Sequence, residues 1–331
     1  MHGFPLGRRT LFAATALGAL AAPMLMKRAA FAQDAAGTKE TPKASPGGKS
    51  ASVKLGDFTV TVISDGLRFA DKPGETFGID QPPEAVAALL DRNFLPTDRF
   101  VNGFSPVVVE TGSDVVLFDT GNGEAGRAAG TGLLLEGLRA AGYPPESITL
   151  VVLTHMHGDH INGLMEGGKP AFPNARYVIG ETELAFWKDP ARMGTPAEGG
   201  HKAVLKNVVP LVEKATLIGD GADVASGITA MAAFGHSPGH MVFRLSSQGK
   251  DLMLTADTAN HYVLSLQQPD WQVKFDMDKE KAAASRRKVF DMVASERLPF
   301  IGYHMPFPAI GYAETLDAGY RFVPASYQLY L

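Results

Sequence analysis

The segment LTHMHGDHING, residues 153–163, constrains this chain more than any other part of its sequence. It follows the apolar run ITLVVLT, which is typical of a strand buried on both faces. Residues two apart on an extended segment point the same way, so His155 and His157 can bind one ion. Asp159 and His160 lie where a helix is predicted to begin, and they can face a second ion. The alternative is a chance cluster of surface histidines, which a chain with 9 histidines among 331 residues rarely produces at this spacing.

The ligand atoms available to such ions are nitrogen and oxygen, because the chain has no cysteine. Imidazole and carboxylate ligands suit Zn²⁺ best, and also Mn²⁺, Fe²⁺ or Co²⁺. Two divalent ions need further ligands, and candidates occur where other strands are predicted to end. These are His236 and His240 in AFGHSPGHM, Asp257 in LMLTADTAN and His304 in LPFIGYHMPFP.

The first part of the chain, residues 1–32, is predicted to be an export signal rather than part of the fold. Arg8 and Arg9 precede an apolar segment at residues 10–26, and AFA at residues 30–32 matches an A-x-A cleavage site. The paired arginines resemble a twin-arginine-type signal. An uncleaved membrane anchor is the alternative, but the apolar segment is shorter than the roughly 20 residues that a span needs. We therefore expect a periplasmic protein with no stable membrane insertion after cleavage.

The remainder of the chain is predicted to be a flexible leader followed by one domain. Residues 33–52 are small, polar and rich in Pro and Gly, whereas residues 53–331 show no break in composition. A hydrophobic content of 45% is enough to bury a core. The net charge of −4 lacks the basic footprint of a nucleic-acid-binding protein, so we expect no nucleic-acid partner.

Strands and helices alternate along the predicted domain. Strands are predicted in VKLGDFTVTVISDG, FSPVVVETGSDVVLFDTG, ITLVVLT, ARYVIG, ITAMAAFG and HMVFRLSSQGKDLMLTADT, with LPFIGYH as a final buried strand. Helices are predicted in PEAVAALLDRNF, GLLLEGLRAAGY, ETELAFWKD, HKAVLKNVVPLVEKA and DKEKAAASRRKVFDMVASE. Because strands surround helices in both halves of the chain, we expect an α/β fold of two sheets with helices packed outside, in four layers.

The motif HxHxDH, followed by GHSPGH, an aspartate after a strand and a late histidine, resembles the metallo-β-lactamase superfamily of dinuclear hydrolases. The segments LGDFTVTVISDG, FDTG, AFPNARYVIGETELAFW and GYRFVPASYQLYL look like the methyl parathion hydrolase branch and its lactonase relatives. The resemblance implies a four-layer αββα sandwich with two mixed sheets, and a homodimer.

The resemblance also implies which residues bind each metal. His155, His157 and His236 would bind one metal, and Asp159, His160 and His304 would bind the other, with Asp257 bridging them. His240 would support the site without binding metal. His201 and His261 match no ligand position, and we expect them at the surface or at the rim of the pocket.

The chemistry expected from such a centre is hydrolysis. Two metals that share a water molecule lower its pKa, and the resulting hydroxide attacks a lactone or ester carbonyl or an organophosphate triester. Asp159 and Asp257 are the candidate catalytic residues, and Asp159 is expected to pass a proton to the leaving group. Asp119 in FDTG is expected to accept a hydrogen bond from a ligand histidine, although a turn-forming role alone would also explain it.

Four residues are candidates for binding a small ester, lactone or phosphotriester substrate: Trp187, Phe275, Phe69 and Asn260. By position, Trp187 resembles a pocket aromatic of the methyl parathion hydrolase group, although a core position would explain it equally well. Asn260 lies near the place where some lactonases have a tyrosine that contacts substrate.

Alternative functions exist within and outside this fold. A β-lactamase and a glyoxalase II-like thioesterase are the alternatives of the same fold. The thioesterase would need basic residues for an anionic thiol conjugate, and the sequence shows no such cluster. A non-enzymatic metal-binding periplasmic protein is the alternative of a different class, but mixed His and Asp sites with an open water position favour catalysis.

Overall fold

The computed structural model describes residues 50–326. The predicted signal segment, most of the predicted leader and residues 327–331 lie outside this range. The first strand begins at Ser50, ahead of Val53, where the sequence predicted the domain to start. Among the described residues, none of the helices combines the length and the apolar character needed to cross a membrane.

The strands are numbered along the chain. They are β1 (Ser50–Leu55), β2 (Phe58–Ile63), β3 (Gly66–Asp71), β4 (Arg99–Phe104), β5 (Val107–Glu110), β6 (Val115–Phe118), β7 (Leu150–Val152), β8 (Met165–Glu166), β9 (Lys169–Pro170), β10 (Arg176–Gly180), β11 (Ala215–Ile218), β12 (Asp223–Ala225), β13 (Ile228–Ala232), β14 (Met241–Ser247), β15 (Lys250–Ala256), β16 (Phe300–Gly302), β17 (Ile310–Thr315) and β18 (Tyr320–Pro324).

The helices are numbered in the same way. They are α1 (Pro83–Arg92), α2 (Gly123–Gly126), α3 (Leu134–Ala140), α4 (Gly158–Ile161), α5 (Glu181–Lys188), α6 (Glu198–Asn207), α7 (Leu264–Gln267) and α8 (Lys279–Ser295). Short 3₁₀ helices occupy Pro73–Glu75, Arg127–Ala129, Pro145–Ser147, Asn162–Leu164, Pro190–Arg192 and Val209–Lys214.

Two large mixed sheets form the centre of the fold. The first has the order β1-β2-β5-β6-β7-β10-β11, and the second has the order β12-β13-β14-β15-β16-β17-β18. In the first sheet the pairs β6-β7, β7-β10 and β10-β11 are parallel, and the pairs β1-β2, β2-β5 and β5-β6 are antiparallel. In the second sheet only β15 and β16 pair in parallel. The strands β3 and β4 form a separate antiparallel pair.

The layers follow from the two-residue period of the strands. In β5, Val107 and Val109 pack in the core that also contains Phe243 of the second sheet, whereas Val108 packs in a different core. This second core contains Leu184 of α5 on the outer side of the first sheet. Helix α8 packs on the second sheet through residues such as Phe290. The predicted α/β fold of two mixed sheets flanked by helices is therefore confirmed.

The prediction that LPFIGYH is the final strand is wrong. Its residues 300–302 form β16, but β17 and β18 follow and complete the second sheet. The strand signal is weak there because Gly311 and Pro324 have low strand propensity and because β18 alternates buried and exposed residues at the sheet edge.

Candidate metal centre

The metal-binding candidates all follow the ends of buried strands. His155 and His157 come after β7, and His236 lies in the loop between β13 and β14. Asp257 directly follows β15, and His304 follows β16. Polar side chains that follow strands of both sheets therefore lie at one edge of the sandwich, where connecting loops converge.

Three histidines form the first group. Nε2 of His155 lies 3.0 Å from Nδ1 of His157, and that Nδ1 lies 2.9 Å from Nε2 of His236. Burial lowers the pKa of His155 and of His157 well below the ordinary histidine value, which keeps these rings neutral. Burial opposes protonation of His236, but its hydrogen bonds with Asp257 and Asp276 raise its pKa to about 9. Three ring nitrogens thus converge as the ligands of one ion would.

The second group contains Asp159, His160, Asp257 and His304. Nε2 of His160 lies 3.2 Å from Oδ1 of Asp257 and 3.6 Å from Oδ2 of Asp159. Nε2 of His304 lies 3.1 Å from Oδ2 of Asp257 and 3.6 Å from Oδ2 of Asp159. Oδ2 of Asp257 is also 3.3 Å from Nε2 of His236, so this one carboxylate contacts both groups.

Two buried atoms of the second group indicate that a cation belongs there. Nε2 of His160 and Oδ1 of Asp257 lie 3.2 Å apart without forming a hydrogen bond, and neither atom has another hydrogen-bond partner within residues 50–326. A buried polar atom without a partner costs about 1–3 kcal/mol. A metal ion between them would satisfy both atoms, and nitrogen with carboxylate oxygen is a donor set that divalent transition metals accept. The residues present therefore fit two divalent metals.

Outer contacts orient the ligand rings. Nδ1 of His160 lies 2.8 Å from Oδ2 of Asp119, which also accepts a hydrogen bond from the Thr154 hydroxyl. Nδ1 of His304 donates to the carbonyl of Gly103. These partners hold Nε2 of each ring towards the centre and set its tautomer. Asp119 thus occupies the place that the sequence suggested for it.

His240 cannot bind metal in this arrangement. Its Nδ1 donates to the carbonyl of Ala233, and its Nε2 accepts the backbone N–H of Asp257 at 3.1 Å. Burial lowers the pKa of His240 to about 3, so the neutral ring can accept that bond. Its ring therefore holds the backbone of Asp257 in place.

The comparisons with known proteins agree with this geometry. The family model described as the metallo-β-lactamase superfamily matches residues 103–299. The chain belongs to the metallo-β-lactamase superfamily.

Sequence relatives match part of the chain. An N-acyl homoserine lactonase of Bacillus cereus is 24% identical over 168 residues, which are 50% of this chain and 60% of the relative. An atrochrysone carboxyl ACP thioesterase of Passalora fulva is 29% identical over 194 residues, which are 58% of this chain and 48% of the relative. The chain therefore spans less than two thirds of the length of these relatives.

Solved structures match more of the chain. AidC, a dizinc quorum-quenching lactonase solved with an acyl-homoserine product, has a TM-score of 0.77 and 26% identity, covering 84% of this chain and 98% of AidC. The hydrolase AbOPH has a TM-score of 0.76 and 25% identity, covering 86% of this chain and 99% of AbOPH. The dizinc neighbour and the two ligand groups together support two divalent metals.

One residue that sequence reasoning missed in this metallo-β-lactamase domain is Asp276. Its Oδ1 lies 2.9 Å from Nδ1 of His236, and its Oδ2 accepts a 2.7 Å hydrogen bond from the buried guanidinium of Arg286. Burial opposes its charge, but the His236 bond and the Arg286 charge lower the pKa of Asp276. Arg286 also donates a hydrogen bond to the carbonyl of Thr258. This bond fixes the guanidinium next to Oδ2 of Asp276, the oxygen that does not contact His236.

Glu183 is the second residue that the sequence did not reveal. Oε1 accepts the backbone N–H of Met156 and the indole N–H of Trp187, at 2.9 and 2.7 Å. Oε2 accepts the hydroxyl of Ser237 and the backbone N–H of Gly239, both at 2.7 Å. Burial raises the pKa of Glu183, while these four bonds oppose that rise. One carboxylate thus joins the 155–160 and 236–240 segments, which carry most of the metal ligands.

The metal centre opens into a cavity of about 1030 Å³. His157, Asp159, His236, Asp257 and His304 lie on its wall, together with the aromatic residues Phe100, Phe104, Trp187 and Phe275. The cavity lining also includes Arg68, Arg192 and Lys274. The cavity is therefore lined by the candidate metal ligands, by aromatic side chains and by positively charged side chains.

The candidate substrate residues differ in their relation to this cavity. Phe275 is half-exposed and lines it, and Trp187 is buried in the core yet also lines it, with its ring 5.9 Å from that of His157. Phe69 does not line it, because alternation along β3 turns Arg68 and Ala70 towards the cavity instead. Asn260 donates to Oδ2 of Asp257 and lines a smaller cavity of about 250 Å³ beside His304.

The two histidines outside the ligand set, His201 and His261, are buried rather than at the surface, and His261 lies on a cavity wall, as the alternative position at the rim of the pocket allowed. Nδ1 of His201 lies 2.7 Å from the carbonyl of Trp187. Nδ1 of His261 accepts the backbone N–H groups of Val263 and Leu264, and His261 lines the smaller cavity. Each ring finds backbone partners that its position in the sequence does not reveal.

Proposed function

We propose that this chain is a dinuclear metal-dependent hydrolase of carboxylic esters and lactones, with organophosphate triesters as a further substrate class. The observation that carries the proposal is that Asp257 contacts both ligand groups on the wall of the large cavity. The names of AidC and of the Bacillus relatives support lactones as substrates. Zinc is the metal proposed, because the ligands are imidazole and carboxylate, with Mn²⁺, Fe²⁺ and Co²⁺ as alternatives.

The roles of the residues follow from their positions. When bound, two divalent metals would lower the pKa of water and polarise the carbonyl or phosphoryl oxygen of the group to be attacked. Asp257 holds the two ligand groups at a fixed separation. Asp159 has a 25% exposed side chain on the cavity wall, so it can also reach substrate and return a proton to the departing alkoxide or phenoxide. Trp187 and Phe275 form an apolar surface for the organic part of the substrate.

The proposal is tested by metal analysis of the purified protein together with a panel of chromogenic substrates. The panel contains an ester, a lactone, a phosphotriester, a thioester and a β-lactam. We expect two metals per chain and turnover of the lactone or ester that stops when a chelator removes the metals. Two-metal protein that hydrolyses nothing in the panel would instead support the non-enzymatic metal-binding alternative.

A thioesterase is the second candidate function. The fungal relative is named an acyl-carrier-protein thioesterase, and the cavity contains positive charges that suit an anionic thiol conjugate. Preferred turnover of the thioester over its oxygen ester would favour this candidate. Preferred turnover of the β-lactam would favour a β-lactamase.

We also propose that the chain is exported through its twin-arginine-type signal to the periplasm and acts there as a homodimer. The export proposal rests on Arg8, Arg9 and the apolar segment that follows them, whereas the dimer rests on the family resemblance alone. Mass spectrometry of the N-terminal peptide of the protein recovered from the periplasm tests the export. We expect cleavage after residue 32. Light scattering on the purified protein tests the dimer.

A further inference from the structure

Three cationic side chains from distant parts of the chain line the cavity in front of the metal centre. Arg68 lies on β3, Arg192 ends the 3₁₀ helix Pro190–Arg192, and Lys274 lies in the loop before α8. The sequence was expected to contain no basic cluster, and the three cations on one cavity wall contradict that expectation. The cluster escapes notice in the sequence because its members come from three separated segments that only the fold brings to one cavity.

These cations have few partners of their own. Within residues 50–326, the side chains of Arg68 and Lys274 make no hydrogen bond or ion pair, and Lys274 is exposed. Arg192 lies 3.7 Å from Asp189 and stacks over the ring of Phe186, and its buried Nε has no hydrogen-bond partner. The positive charge is therefore available to a ligand in the cavity.

No carboxylate in the described lining neutralises this charge. The acidic residues of the lining are Asp159, Asp257 and Asp276. The first two belong to a metal group, and Asp276 is paired with Arg286. Two bound divalent cations would add more positive charge than the two metal-group carboxylates remove. A cleft lined by one sign of charge attracts and orients ligands of the opposite sign.

We propose that the substrate is an ester, lactone or thioester that carries an oxyanion remote from the scissile bond, and that Arg68, Arg192 and Lys274 recognise this oxyanion. The oxyanion is a carboxylate or a phosphate, the groups that guanidinium and ammonium bind best. Aromatic residues of the wall, Phe100 and Phe275 among them, would contact the apolar part of the substrate. The volume of about 1030 Å³ has room for such an extended molecule. This inference rests on the proposed hydrolase function.

The test compares esters that differ only at the far end of the acyl chain. One series ends in a carboxylate, one in a phosphate monoester and one in a neutral carboxamide. In the wild-type protein we expect kcat/KM to be about tenfold higher for an anionic ester than for the carboxamide at low salt, with the preference shrinking as salt is added. The better of the two anionic series identifies which oxyanion is recognised.

Variants locate the effect in the cavity. R68Q, R192Q and K274Q are each expected to lower the preference for the anionic ester about three- to fivefold, with the carboxamide ester changed less than twofold. The matched control is R92Q, because Arg92 is an exposed residue at the end of α1 that lies outside the cavity. It removes the same charge and is expected to leave the preference unchanged.

The outcomes separate this inference from the hydrolase proposal. Hydrolysis of the neutral esters without any preference for the anionic ones, or a preference that the three variants leave intact, overturns the inference and leaves the hydrolase proposal standing. If no ester is hydrolysed, the hydrolase proposal fails. The inference is then decided by calorimetry, which measures binding of the corresponding amides to the metal-loaded protein. Tighter binding of the anionic amide than of the neutral one, with the difference reduced by R68Q and K274Q, supports the inference. Equal binding of the two amides overturns it.

Discussion

Replacing Glu183 with glutamine tests how the metal-binding segments are held together. The carboxylate accepts four hydrogen bonds, two on each oxygen, from the two segments and from Trp187. Glutamine has almost the same shape but keeps only one acceptor oxygen, and its NH₂ group can only donate. E183Q therefore removes acceptors while leaving the volume of the buried site unchanged.

The size of the effect can be worked out from the partners. In the better orientation, the amide oxygen still accepts from Met156 and Trp187, and the Ser237 hydroxyl can turn to accept from the NH₂ group. The N–H of Gly239 then faces a donor and loses its acceptor, which costs about 1–3 kcal/mol. The two retained bonds also lose the strength that an ionised acceptor provides. We expect the free energy of unfolding to fall by about 2–3 kcal/mol and the metal affinity by about 10–100-fold.

The measurements are a zinc competition titration with a chromophoric chelator and urea unfolding of the protein. E181Q is the matched control, since Glu181 lies on the same helix α5 and is exposed. The reasoning predicts wild-type behaviour for E181Q and a loss of both quantities for E183Q. If E183Q binds zinc and unfolds as E181Q does, the carboxylate does not hold the two segments.

Three further predictions concern single residues. D159N is expected to keep both metals and to lower kcat about 100-fold, measured with the best ester of the panel; full turnover would remove its proton-transfer role. D276N leaves the charge of the buried Arg286 without its carboxylate partner, so urea unfolding should show a loss of about 3 kcal/mol, whereas D270N, at an exposed pair with Arg287, should cost less than about 1 kcal/mol. Burial lowers the pKa of His261 to about 4, well below the ordinary histidine value of about 6.5. Its contribution to stability is therefore complete above pH 6.5 and is lost as the pH falls towards 4, by about 3 kcal/mol at most. H261Q should show a smaller loss than wild type between pH 7 and 5, and equal losses would contradict the assignment.

Much of the fold could be predicted because its signals are local. Buried strands such as β7 are short apolar runs, and alternation marks β2 through Phe58, Val60 and Val62. The long helix α8 has a capping aspartate, Asp278, whose side chain accepts the N–H of Lys281. The last two strands, β17 and the edge strand β18, lack such signals, and the pairing that stabilises them is visible only in the assembled sheet.

Four of the seven candidate ligands, His155, His157, Asp159 and His160, were recognisable for the same reason, because they share one short segment. Glu183 and Asp276 were not, since each buried carboxylate is explained by partners far away in the sequence. The orientation of Phe69 depended on the register of β3, which the sequence alone does not set. The cationic lining likewise depends on the fold that brings three separated segments to one cavity.

The most direct test of the dinuclear centre is a titration of chelator-treated protein with Zn²⁺, followed by the rate of ester or lactone hydrolysis. Because Asp257 contacts both ligand groups, both metals should be needed for full activity. The account predicts that the rate rises until two equivalents of zinc per chain are bound and then stays constant. Full activity at one equivalent, or no hydrolysis at two, would contradict it.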